Sequence, residues 1–136
     1  MDGNVMKDRA SWITICDTCK HEDWANRDLT LTDGEALAAL IEAAATDAPG
    51  VRTRRHSCLM GCTRACNVAI QGSGKLNYTL GGFDVSTDAA AGIVAYAALH
   101  AASDSGTVPY RDWPAAVKGH FVTRHPPLPT DGAPDG

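Results

Sequence analysis

The five cysteines of this chain are grouped as a pair and a triplet, a pattern typical of a metal site. The pair is Cys16 and Cys19, separated by two residues, and the triplet is Cys58, Cys62 and Cys66. Thiolates are soft ligands that select zinc, copper(I) or iron–sulfur clusters over hard cations. The spacing therefore predicts a site for one of these, held by cysteines from both groups.

Both cysteine groups follow predicted strands. The apolar and β-branched run 12–15 precedes the pair, and the run 51–57 precedes the triplet. Between them, Thr32 followed three residues later by Glu35 forms a capping box that opens a helix. Two loops leaving strands at one end of a sheet would bring four sulfurs around one centre.

The rest of the chain predicts a hairpin and a second helix. The runs 66–71 and 75–80 flank the turn Gly72-Ser-Gly74, which indicates a hairpin. Ser86 caps a helix whose small, apolar stripe allows close approach to the sheet. The remaining expectations are a helix end near 103–106, a short helix around Pro114 and an extended segment at 121–127.

Length and composition indicate one domain with its own hydrophobic core. A chain of 136 residues, 44% hydrophobic and 21% charged, can bury a core without a metal, so the metal need not be structural. We expect this domain to span 10–125, followed by a disordered tail at 126–136 in which Pro, Gly and Asp dominate.

The N-terminal residues and the lengths of the apolar segments indicate the cellular compartment. The N-terminus has no apolar stretch resembling a signal peptide, and no segment approaches the about 20 apolar residues of a membrane span. We therefore expect a cytoplasmic protein without a membrane partner. The net charge of −4 gives no reason to expect nucleic acid as a partner.

The order of these elements resembles the thioredoxin-like [2Fe-2S] ferredoxins and the related cluster-bearing subunit of respiratory NADH dehydrogenase, over about residues 12–103. In that group two cysteines lie after the first strand, and two more, separated by three residues, follow the strand after the first helix. Cys16 and Cys19 occupy the former place, and Cys58 and Cys62 the latter. The resemblance implies an α/β, thioredoxin-like fold: a mixed four-stranded sheet flanked by two main helices, with a C-terminal extension.

In detail the chain is still more similar to a family of small proteins known only as predicted metal-binding, with a domain of unknown function. The similarity rests on the cysteine pair, the triplet with the residues between, and the segments 74–78 and 122–127. Two features depart from the ferredoxin pattern. The first pair is separated by only two residues, and Cys66 stands where the ferredoxins commonly carry a proline.

The resemblance implies that Cys16, Cys19, Cys58 and Cys62 hold a [2Fe-2S] cluster. Cys66 is then a spare, small buried residue at the start of a strand. The implied function is transfer of single electrons to a partner enzyme by a protein that is itself not an enzyme. Homodimers are common in that group, and similar proteins accompany cobalamin synthesis, which suggests an acceptor that reduces corrinoid-bound cobalt.

The residues alone leave other interpretations open. Four thiolates also suit zinc, and the second candidate function is a zinc- or cobalt-binding protein acting in metal delivery or as a structural metal module. A redox-active dithiol at Cys16 and Cys19 is disfavoured because about twelve residues separate Cys19 from the cap at Thr32. His21 and His56, each near a cysteine, are expected to be solvated or core histidines rather than ligands.

Basic residues lie close to the cysteines along an otherwise acidic chain. They are Lys20, Arg52, Arg54, Arg55 and Arg64. Most such residues only solvate a surface. The functional alternative is that they face the cysteine loops, where cations favour the reduced, more negative cluster and attract an acidic redox partner.

Overall fold

One mixed sheet and two helices make up the α/β fold. The computed structural model describes residues 10–21, 24–26, 30–57 and 65–128. The strands are β1 (Ser11–Cys16), β2 (Val51–His56), β3 (Val68–Gln71), β4 (Asn77–Leu80) and β5 (Phe121–His125), and the helices are α1 (Asp33–Ala45) and α2 (Thr87–Ala102). Short 3₁₀ turns lie at Trp24–Asn26, Tyr110–Asp112 and Ala115–Val117.

The strand order β2-β1-β3-β4-β5 places three strand ends beside one another. β1 and β2 are parallel and joined through α1. Cys16 lies opposite His56, so both strands finish at the same end of the sheet. β3 starts at that end because it runs antiparallel to β1. The α/β prediction is confirmed, but the predicted four-stranded sheet is wrong: the extended segment at 121–127 forms β5, which pairs with β4.

Both helices cover one face of the sheet. They contact each other, and both contact β1. The side chains that fill the space between helices and sheet are fully buried and include Ile13, Ile15, Leu37, Ile41 and Ile93. Residues alternate along a strand, so Trp12 and Thr14 lie on the other face, where Arg54 Nε donates a hydrogen bond to Thr14 Oγ1 at 2.7 Å.

The helix starts follow local sequence rules. The predicted capping box of α1 is present: Glu35 N donates to Thr32 Oγ1 at 3.0 Å, and Thr32 N donates to Glu35 Oε1 at 2.9 Å. Ser86 caps α2 by accepting a hydrogen bond from Ala89 N at 3.0 Å. The short helix predicted near Pro114 is instead a pair of 3₁₀ turns.

A buried polar network closes the end of the sheet that lies opposite the cysteines. His100 in α2 is fully buried; its Nδ1 accepts from Ser11 Oγ at 2.6 Å, and its Nε2 donates to Leu76 O at 2.7 Å. Lys75 Nζ donates to the carbonyls of His100 and Ala101 at 2.8 and 2.7 Å, which satisfies the C-terminal end of α2. The network joins β1, the β3–β4 turn and α2.

Two expectations concern the ends of the chain and the membrane. The predicted disordered tail lies outside the described residues from residue 129 onward. Within the ranges that the structure describes, no helix has the length and apolar character needed to cross a membrane.

Candidate metal centre

The loop that carries Cys16 and Cys19 lies between the end of β2 and the start of β3. On one side, Asp17 N donates to His56 O at 3.1 Å. On the other, Cys16 N donates to Asn67 O at 3.2 Å. Hydrogen bonds to both neighbouring strands therefore fix the backbone of the first cysteine.

The first turn of α1 supports the same loop from a third direction. Thr32 Oγ1 donates to Asp17 O at 2.5 Å, and His21 N donates to Asp33 Oδ2 at 2.7 Å. Asp33, the first residue of α1, is only 2% exposed. The two cysteines therefore lie beside the helix start in space, although about twelve residues separate Cys19 from Thr32 in the sequence.

Gly34 is the point of closest approach between α1 and the loop. Its N–H donates to Cys19 O at 2.9 Å. A Cβ atom at this position would lie 2.0 Å from Cys16 O and 3.0 Å from Asp17 Cα. Only glycine therefore allows the helix to approach the cysteine loop this closely.

Cys16 and Cys19 form a buried pair of thiols. They are 2% and 3% exposed, and the two thiols are hydrogen-bonded to each other. Burial, together with a smaller contribution from the neighbouring Cys16, raises the pKa of Cys19 to about 12. The Cys19 thiol is therefore expected to be neutral unless a metal ion or cluster compensates the thiolate charge.

Hydrogen-bond partners lie next to both sulfurs of the pair. Asn67 Nδ2 donates to Cys19 Sγ at 3.2 Å, and the backbone amide of Asn67 also hydrogen-bonds to this thiol, which opposes the rise in its pKa. Thr18 Oγ1 lies 3.5 Å from Cys16 Sγ. Asn67 is buried, whereas Thr18 is exposed.

Cys66 lies beside the pair but is held by different contacts. It is fully buried, and its N–H and carbonyl both hydrogen-bond to the backbone of Phe83, at 3.2 and 3.3 Å. Its Sγ is 3.7 Å from His21 Nε2. Among the described residues, no three His, Cys, Asp or Glu side chains form a group that could hold a metal ion.

The other two predicted ligands, Cys58 and Cys62, lie outside the described residues. The described residues on either side of them are Ser57, which follows β2, and Ala65, which precedes Cys66. Both residues lie at the end of the sheet where the cysteine pair lies, because β2 ends and β3 begins there. The described chain therefore stops at Ser57 and resumes at Ala65 at the end of the sheet where Cys16 lies.

Of the basic residues that the structure describes, Arg54 and Arg55 point to different faces of the sheet. Arg55 pairs with Glu42 of α1 through two hydrogen bonds of 2.8 Å, which lower the pKa of that carboxyl. Arg54 points to the opposite face, toward Thr14. Arg54 and Arg55 therefore point to opposite faces of the sheet, Arg64 lies outside the described residues, and the interpretation in which these arginines face the cysteine loops stays a prediction.

Lys20 and His56, which are close to cysteines in the sequence, contact residues near them along the chain. Lys20 Nζ lies 4.3 Å from the ring centroid of Trp24, a cation–π contact next to Cys19. His56 is exposed, and its Nδ1 donates to Ser57 O at 2.9 Å.

Sequence reasoning missed Asn67 and Gly34. Asn67 carries no local signal, since its role depends on contact with a loop 48 residues away. Gly34 did carry one: a glycine in the first turn of a helix is unfavourable for helix formation and indicates close packing.

Fold and site together define an α/β protein with a buried cysteine pair. The pair lies at the end of a mixed sheet, at the point where two strands finish and a third begins. Its family is shown by a family model that matches residues 13–127. The chain belongs to this family, described as "Protein of unknown function (DUF1636)". Neither the curated proteins nor the solved structures contain a match to the chain.

Proposed function

We propose that this protein is a thioredoxin-like [2Fe-2S] ferredoxin that carries single electrons to a partner enzyme. The observation that carries the proposal is the position of the cysteine pair. Cys16 and Cys19 are buried thiols at one end of the sheet. The described residues that flank segment 58–64, which contains Cys58 and Cys62, lie at the same end.

The residues present fit such a cluster in their chemistry. Four cysteine thiolates are the usual ligands of a [2Fe-2S] centre, and we propose Cys16, Cys19, Cys58 and Cys62. When bound, the cluster would supply one-electron chemistry. The chain's own contribution is to exclude water from the first two sulfurs and to hold their loop by hydrogen bonds from α1 and to β2 and β3.

The order of elements supports the thioredoxin-like part of the proposal. Strand, helix, strand, hairpin and helix follow one another as β1, α1, β2, β3–β4 and α2. This is the order on which the resemblance to the ferredoxins rests. β5 is then an addition at the edge of the sheet beyond β4.

The acceptor is proposed to be a protein that docks near the cysteine loop. The described surface beside Cys19 includes Lys20, which lies over Trp24, and Leu31, which is 52% exposed. The resemblance suggests an enzyme that reduces corrinoid-bound cobalt as acceptor, and a homodimer as the state of the carrier.

A zinc or cobalt protein is the second candidate, because the same buried thiols suit a tetrahedral ion. In that case the protein would act in metal delivery or as a structural metal module. Its site would have no redox activity with zinc, which separates the two candidates.

Anaerobic purification after expression with ample iron tests the proposal. We expect a coloured protein with about two irons and two acid-labile sulfides per chain, and an electron paramagnetic resonance signal after reduction. A colourless protein with one zinc per chain would refute the ferredoxin and support the second candidate.

A further inference from the structure

Asn67 makes the most specific contact with a sulfur of the cysteine pair. Its side chain is 1% exposed, and its Nδ2 lies 3.2 Å from Cys19 Sγ. The backbone amide of Asn67 hydrogen-bonds to the same sulfur, and its carbonyl accepts a hydrogen bond from Cys16 N at 3.2 Å. One buried residue at the start of β3 therefore contacts both members of the pair.

We propose that Asn67 is a positioning residue that raises the reduction potential of the cluster through its side-chain hydrogen bond to Cys19 Sγ. This inference rests on the proposed function. Asn67 is no ligand: it acts through the sulfur of Cys19.

The physical reason is the charge on the ligand sulfur. Once Cys19 binds a metal centre it has no S–H, so its sulfur can only accept hydrogen bonds. Reduction adds one electron from the donor protein, breaks no bond and moves no proton, and part of the added charge resides on the sulfurs. A hydrogen bond to a charged sulfur strengthens as that charge grows, so an amide donor favours the reduced state.

Burial makes Asn67 more effective than the other side chain near the pair. Water is excluded from the contact between Asn67 and Cys19, so no solvent molecule replaces the amide when it is removed. Thr18, beside Cys16, is exposed, and water can take the place of its hydroxyl. Thr18 is therefore the matched control.

The experiment compares midpoint potentials of the iron-loaded protein and its Asn67→Leu, Asn67→Asp and Thr18→Val variants by mediated redox titration. Leucine and aspartate have about the size of asparagine and lack the side-chain amide donor. The hydrogen bond from the backbone N–H of residue 67 to Cys19 Sγ remains in both variants. We expect Asn67→Leu to disfavour reduction about tenfold, which is about 59 mV for a one-electron couple. Asn67→Asp should shift the potential in the same direction, and Thr18→Val should change it much less.

A second readout separates this inference from the proposed function. In protein loaded with Co²⁺, the hydrogen bond should raise the energy of the sulfur-to-cobalt charge-transfer band, so both Asn67 variants should move this band to longer wavelength. If the protein holds cobalt but never a cluster, the ferredoxin proposal fails and the effect on the reduction potential fails with it, while the band position still shows whether Asn67 donates a hydrogen bond to the metal-bound Cys19 sulfur. Folded Asn67 variants with wild-type potential or band position, an equal shift in Thr18→Val, or a wild-type protein that binds neither metal would overturn the inference.

Discussion

Gly34 shows how one side chain's absence can shape a site. The contact of α1 with the backbone of Cys16 and Asp17 leaves no room for a Cβ atom. In an ordinary helix position, alanine would be preferred over glycine by about 1 kcal/mol. At Gly34 steric overlap with backbone atoms opposes that preference, and because backbone cannot rotate away, the overlap dominates.

Gly34→Ala is therefore expected to destabilise the protein by about 1–3 kcal/mol and to reduce its metal content. Urea unfolding and metal analysis measure the two effects. Ala39→Gly, at an exposed position of the same helix, is the control and should cost only about 1 kcal/mol without loss of metal. A Gly34→Ala variant more stable than wild type would show that α1 does not pack against the loop as described.

The cysteines differ in what their removal should do. Replacing Cys16, Cys19, Cys58 or Cys62 by serine should prevent normal assembly of the cluster, because each supplies a proposed ligand. Cys66→Ser should retain the iron but lower the stability, since it places a hydroxyl at a fully buried site. Iron and sulfide per chain are the measurement. Iron lost from Cys66→Ser and kept in Cys19→Ser would mean that the spare cysteine is assigned wrongly.

At the scale of elements, His100 links α2 to β1 and to the β3–β4 turn. Burial lowers its pKa, the positive charge of Lys75 acts in the same direction, and the hydrogen bond to Leu76 O opposes them. The neutral imidazole fits the network because Nδ1 must accept from Ser11 while Nε2 donates to Leu76.

Stability should therefore fall in mild acid. The unfolded chain takes up a proton near the ordinary imidazole pKa of about 6.5, whereas the folded His100 does so only at lower pH. The contribution of His100 is fully present above that ordinary value and is lost as pH falls toward the folded pKa. Thermal unfolding from pH 8 to pH 5 measures this loss.

Two variants assign the loss to His100. His100→Gln should cost about 1–3 kcal/mol at neutral pH and should have a shallower decline between pH 7 and 5. His125→Gln, at the exposed end of β5, should keep the wild-type profile. An equally steep decline in His100→Gln would assign the acid sensitivity to other groups.

Local rules explain which elements could be predicted. The capping box at Thr32, the cap at Ser86 and the glycine turn of the hairpin depend on residues a few positions apart, and all three predictions are confirmed. β5 depends on pairing between Thr79 and Thr123, far apart in the sequence, and an isolated extended segment does not reveal its partner. The opposite directions of Arg54 and Arg55 could have been predicted, because neighbours in a strand alternate between faces.

At the scale of the whole molecule, the hydrophobic core extends well beyond the cysteines. It includes the contacts of α1 and α2 with β1, and the large buried side chains of Tyr96 and Phe83. Tyr96 packs edge-on against Trp113 and Phe121, which attaches the C-terminal part of the described chain to α2. The fold therefore has a source of stability that does not depend on a metal.

We expect the metal-free protein to remain folded. After removal of the metal with a chelator under reducing conditions, far-ultraviolet circular dichroism should keep its helical signal, and unfolding should stay cooperative at a lower midpoint because bound metal stabilises the folded state. Reloading should restore the midpoint. Loss of the helical signal together with the metal would indicate that metal binding drives folding, as in small zinc domains.

The strand β2 forms one edge of the sheet and carries Arg52, Arg54 and Arg55. An open edge offers backbone groups with which another strand could pair. Two copies that met along β2 would bring several guanidinium groups together, and like charges on facing strands repel one another. We therefore expect this edge to disfavour strand-to-strand pairing between two copies of the protein.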